Sequence, residues 1–69
     1  MMEMDDFIHR LITEKEELVD KQVKLTQFIN TDKFKELDSF QQALLEEQEY
    51  FMLNYIRVLS KRIISLTKV

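Results

Sequence analysis

Apolar residues recur through the first 28 positions at the spacing of a helix packed on another helix. Met4, Leu11, Leu18 and Leu25 repeat every seven residues, and Phe7 and Phe28 stand three positions beyond Met4 and Leu25. Such a heptad keeps one face of an α-helix turned toward a partner helix. Ile8, Ile12, Val19 and Val23 form a second, shorter stripe beside it. The polar stretch from Thr13 to Glu17 leaves the apolar positions in phase, so the pattern predicts one helix over residues 3–28. Asp5 and Asp6 stand at its start, where carboxylates cap unpaired N–H groups and complement the helix dipole. Asp6–Arg10, Glu17–Lys21 and Asp20–Lys24 have acid-to-base spacing at i, i+4, worth about 0.2–0.5 kcal/mol each on an isolated helix.

Residues 29–38 read as the connection. Asn30 tolerates the left-handed conformation and so marks a helix stop. Phe34 and Leu37 are suited to anchor a short helical turn that closes the end. Asp38 or Ser39 caps the next helix, since Asp38 with Gln41 and Ser39 with Gln42 both have capping-box spacing. That helix runs over residues 39–66. Leu45, Met52, Leu59 and Leu66 form its heptad ladder, joined by Tyr55. Leu44, Phe51 and Val58 lie on one flank of the ladder, Ile56 and Ile63 on the other. Together they span an arc of roughly 160°, wider than the roughly 100° stripe that faces a single core. One partner helix does not cover it.

The predicted fold class is all-α: an antiparallel helical hairpin of two long helices and a short connecting turn, assembling into a homo-oligomeric helix bundle. Residues 1–69 form one hairpin domain. Setting Phe28 opposite Leu45 places Leu18 at the level of Tyr55, Leu11 at Arg62 and Phe7 at Leu66, and brings Arg62 near Glu14 or an acidic partner from another protomer. The same alignment joins the basic end (Arg57, Lys61, Arg62, Lys68) to the acidic start (Glu3, Asp5, Asp6). The wide apolar arc makes a second copy, as dimer or higher oligomer, the expected partner.

Composition narrows the function classes. A chain of 69 residues holds one domain and is marginal without a staple. Cysteine is absent, which excludes disulfides and thiolate metal sites, and the single histidine, His9, makes no cluster. Glycine and proline are absent as well, which suits long helices with few connections. A net charge of −3 gives no general pull toward duplex nucleic acid or an anionic membrane. No apolar run approaches the roughly 20 residues of a membrane span, and the acidic N-terminus lacks a signal peptide's basic start. The expected location is the cytoplasm.

Candidate chemistry is sparse. Without glycine there is no phosphate-cradling loop. No serine or threonine stands in a nucleophile pattern, and Glu46-Glu47 are neighbours that diverge on a helix. No enzyme activity, cofactor or metal is expected. Gln48 and Arg62 are polar at seam positions, where such residues fix register and copy number. Arg62, Arg57, Lys61 and Tyr55 are the candidate ligand-binding residues, because aromatic faces with nearby cations hold nucleotides. The expected oligomer interface is Leu44, Leu45, Phe51, Met52, Tyr55, Val58, Leu59 and Ile63.

Arg10-Leu11, Glu14, Glu17-Leu18, Lys24-Leu25, Phe28, Phe34, Leu37, Leu44-Leu45, Gln48, Met52, Tyr55, Leu59 and Arg62-Ile63 resemble the crAss-phage-related family of short phage and prophage proteins. The resemblance spans about residues 4–66. It implies a phage or prophage origin, and hence the host-cell cytoplasm, and a helical hairpin; it transfers no catalytic or ligand residue. The leading expectation is a non-catalytic, oligomeric interaction protein that binds and blocks a host component, as in counter-defence. The alternatives are a nucleotide-signal sponge holding its ligand between protomers, and a virion or replication accessory.

Overall fold

Helix α1 spans Met2–Ile29 in a computed structural model that describes residues 2–68, with side chains from residue 4. It begins upstream of Asp5 and Asp6. These acids therefore lie at the end of its first turn, inside the helix, where they complement the dipole rather than act as caps. Glu3 lies outside the described side chains. Of the three i, i+4 pairs, Asp20–Lys24 closes at 3.4 Å, with both side chains largely exposed. The other two stay beyond 4 Å. A surface pair of this kind is worth little, because water and salt screen it.

The connection closes without any left-handed residue, since no described residue has positive φ. Asn30 does end α1, but through its side chain: Nδ2 donates to the Thr26 carbonyl at 2.8 Å. Thr31 serves both sides of the break. Its hydroxyl donates to the Phe28 carbonyl at 2.6 Å and accepts from Phe34 N–H at 3.3 Å, which caps the short helix α2, Asp32–Lys35. Phe34 is the buried anchor of that turn and meets the Phe28 ring edge-on at 6.2 Å, while Leu37 is half-buried. Asp38 then caps α3, Ser39–Thr67, by accepting from Gln41 N–H at 2.8 Å. Gln42 reaches backward instead of closing a capping box, donating to the Leu37 carbonyl at 2.8 Å and the Lys35 carbonyl at 3.3 Å. Orphan carbonyls at the helix end thus find side-chain donors, which is what a turn without glycine requires.

Helices α1 and α3 pack along their lengths as one long pair. The line between them carries Leu45, Met52, Ile56, Leu59, Ile63 and Leu66 from α3, all buried or half-buried, and Leu11, Leu18 and Leu25 from α1. Leu59 is wholly buried and Leu11 nearly so. The polar members of this line are paired: Gln22 donates to the Thr26 hydroxyl at 2.7 Å, and that hydroxyl donates to the Glu49 carboxylate.

Two helices side by side bury only the line between them. Among the described residues only Leu11, Phe34 and Leu59 are buried. The molecule is a rod of 51 × 14 × 14 Å with a radius of gyration of 15.7 Å, against about 11 Å for a compact chain of this length. It exposes 5680 Å², where a compact monomer of this mass exposes about 4,600 Å².

Part of this exposed surface has a pattern. Leu44, Gln48, Phe51, Tyr55, Val58, Arg62 and Ser65 each precede a position of the buried line by one residue. They repeat its alternating steps of four and three. One residue turns the helix by about 100°, so α3 carries two heptad seams side by side. The first faces α1. The second faces solvent, with Phe51 60% exposed and Leu44, Tyr55 and Val58 above 40%. This is the wide arc seen in the sequence, resolved into two lines.

A candidate binding surface on the second seam of α3

Two shallow grooves follow the second seam. The first, about 400 Å³, is lined by Phe7 of α1 and by Val58, Lys61, Arg62, Ser65 and Leu66 of α3. Its floor is apolar and its edge carries two cations and a hydroxyl. The Arg62 guanidinium lies over the Phe7 ring, 5.8 Å from the centroid. At that distance the ring quadrupole attracts the cation and orients its planar fork without neutralising it. The second groove, about 530 Å³, is lined by Leu44, Glu47, Gln48, Phe51, Met52 and Tyr55.

Tyr55 stands between the two grooves. Its hydroxyl donates to the Glu14 carboxylate. That bond holds the phenol pKa above its ordinary value, helped by partial desolvation and the Glu14 charge and opposed by Arg62. Within one chain, Arg62 therefore does not pair with Glu14, the first of the two acidic partners the register offers it. The acid goes to Tyr55, and Arg62 goes to Phe7. In both cases the α1 partner is one helical turn earlier than expected: Glu14 rather than Leu18, Phe7 rather than Leu11. The reason is that Tyr55 and Arg62 sit on the second seam and lie over the outer line of α1, whereas Leu11 and Leu18 belong to the buried line.

Among the four candidate ligand residues, Arg62 and Lys61 line one groove together. Tyr55 lines the neighbouring one. Arg57 lines neither and stands about 140° around the helix from Arg62. The eight candidate interface residues divide in the same way. Leu59 is spent inside the hairpin, and Leu45, Met52 and Ile63 lie half-buried on the same line. Leu44, Phe51, Tyr55 and Val58 face outward and remain available to a partner.

Phe7 and Glu14 join the site although composition and motif do not mark them as binding residues; the signal for them is their spacing, seven residues apart on one line of α1 that starts from the apolar Phe7. Tyr50, exposed on the polar side, packs its ring edge against Phe51 at 5.6 Å. His9 lines a separate polar groove with Asp6, Arg10, Thr13, Glu14 and Glu17. Among the described residues no helix is long and apolar enough to cross a membrane.

Fold and surface together define a small helical-hairpin protein with a solvent-facing apolar seam edged at one end by cations. The chain belongs to the Sequestin family, whose model matches residues 5–65. The match identifies this family and does not bear on a relation to the crAss-phage-related proteins. No curated protein and no solved structure matches the chain.

Proposed function

We propose that the chain is a non-catalytic sequestering protein that captures an anionic, ring-bearing small molecule of the nucleotide class and withholds it unchanged. The observation that carries this reading is the Phe7–Arg62–Lys61 groove. An apolar floor with an aromatic ring accepts a base, and a guanidinium already fixed over that ring presents its outward N–H groups to a phosphate. The family's name, Sequestin, points the same way. The protein acts as a homo-oligomer in the host cytoplasm, with its ligand held between protomers. In this reading it is of phage origin, as the resemblance read from its sequence implies, and removes a defence signal from circulation.

Calorimetry with a panel of cyclic and linear nucleotides tests this. One class is expected to bind with micromolar or tighter affinity and to be recovered chemically intact after the protein is denatured. Arg62→Ala is expected to weaken that binding at least tenfold, about 1.4 kcal/mol. No binding by any member at millimolar concentration, or recovery of an altered ligand, sinks the reading. The exposed seam at Leu44, Phe51 and Val58 also favours a second reading, in which the protein binds and blocks a host protein. A stoichiometric protein complex from host lysate that survives Arg62→Ala but not Phe51→Glu would select it.

A further inference from the structure

We propose that a second copy of this chain covers the exposed seam, its α3 lying antiparallel to the first about a two-fold axis between residues 51 and 55. The inference deepens the assembly named above by fixing its surface and direction, and it does not depend on the ligand.

Charge along α3 sets the direction. Residues 39–50 carry Glu46, Glu47 and Glu49 and no base, while residues 57–68 carry Arg57, Lys61, Arg62 and Lys68 and no acid. Two such helices side by side in parallel would set acid on acid and base on base. Antiparallel, each acidic half meets a basic half. The flank of the second seam repeats this in detail. Glu47 and Lys61 lie seven residues before and after Asn54, on one line of the helix. Turned about a two-fold axis, Glu47 falls beside the partner's Lys61, and Lys61 beside the partner's Glu47. On the seam itself Phe51 meets the partner's Tyr55, and Gln48 the partner's Val58.

The seam has apolar surface for a partner to cover: Phe51 is 60% exposed, and Leu44, Tyr55 and Val58 are each above 40%.

The pairing also determines how the cationic groove is used. Arg62 lies at the level of the partner's Leu44, so that Leu44 closes the open side of the groove. The two Arg62 residues of a dimer are then 18 positions apart along the helices, roughly 27 Å. A nucleotide cannot touch both. The dimer therefore has two separate grooves rather than one shared pocket on the axis.

The test uses the full chain without ligand. Sedimentation equilibrium at tens of micromolar is expected to give an even-numbered assembly, shifted to smaller species by Phe51→Glu with helicity retained. Glu47→Lys and Lys61→Glu are each expected to weaken assembly about 3- to 10-fold, and the double variant to restore it. A parallel pair would not respond in that way, because each residue would face its own copy. Direction is read independently from a spin label at Ile64→Cys, an exposed position in a chain with no other cysteine. Antiparallel pairing places the two labels roughly 33 Å apart, and parallel pairing about 10–20 Å. A monomer at these concentrations, a short label distance, or no rescue in the double variant overturns the proposal. Absence of nucleotide binding with all three results intact overturns only the sequestering reading.

Discussion

Leu59 is the residue on which the hairpin most depends, and removing its side chain is the sharpest test of the buried line. It is wholly buried, flanked by Ile56 and Ile63 on α3 and facing α1. Leu→Ala at such a site costs about 2.7–5 kcal/mol, the transfer energy of the lost methyl and methylene groups plus the cavity they leave. A rod two helices wide can close around a cavity more easily than a globule, so the lower end, about 3 kcal/mol, applies. A 69-residue domain has roughly 3–10 kcal/mol in total at 0.05–0.15 kcal/mol per residue. Leu59→Ala thus removes from a third to all of it. At about 4–8 °C per kcal/mol the melting temperature falls by roughly 12–24 °C. The assay is circular dichroism at 222 nm against temperature. Protein concentration is held fixed, because an assembling chain melts higher when more concentrated. Leu53→Ala is the control: Leu53 is 48% exposed, and its truncation is expected to cost no more than about 0.5 kcal/mol. If the two variants melt within about 4 °C of each other, Leu59 does not anchor the pair and the assignment of the first seam is wrong.

Three smaller predictions come from the caps and the tyrosine. Asp38→Ala removes the acceptor for Gln41 N–H and is expected to lower stability by about 1 kcal/mol in urea melts, with Asp38→Asn close to wild type. Thr31→Val removes a donor to the Phe28 carbonyl and an acceptor for Phe34 N–H at once. It is expected to cost as much as or more than Asp38→Ala and to raise amide exchange at Phe34. Tyr55→Phe is expected to lower the melting temperature at pH 7. The folded phenol pKa lies above the unfolded value, so the bond to Glu14 contributes below about pH 10 and is lost as pH rises through the folded value. The difference between wild type and variant should vanish in strongly alkaline buffer, and a difference that grows there contradicts the bond.

The helix pair was legible because heptads at Leu11, Leu18, Leu25 and at Leu45, Met52, Leu59 repeat without a break, and because Phe34 and Leu37 are apolar residues in an otherwise polar link. The way the link closes was not legible. Asn30 has a stop residue's character, but the sequence does not say whether its backbone or its side chain does the stopping, and nothing singles out Thr31. Nor could sequence say which line of α3 would face α1. Leu44 and Leu45, Phe51 and Met52, Val58 and Leu59 are each adjacent and similarly apolar, so in sequence the arc forms one wide face. One face sets Tyr55 and Arg62 opposite Leu18 and Leu11. Their observed partners, Glu14 and Phe7, follow once the arc is split in two.

Neighbouring seams leave α3 nearly degenerate in rotation. Rolling it by about a third of a revolution would offer Leu44, Phe51 and Val58 to α1 in place of Leu45, Met52 and Leu59, with little change in buried oil. What distinguishes the two orientations is polar. Glu49 has a hydroxyl waiting at Thr26, whereas rolling would drive Gln48 and the Arg62 guanidinium into the crevice. The residue best placed to grip an anion is thus also the one that locks the hairpin's orientation. A chain with leucine at both 48 and 62 would lose its grip and its sense of which way to face in the same stroke.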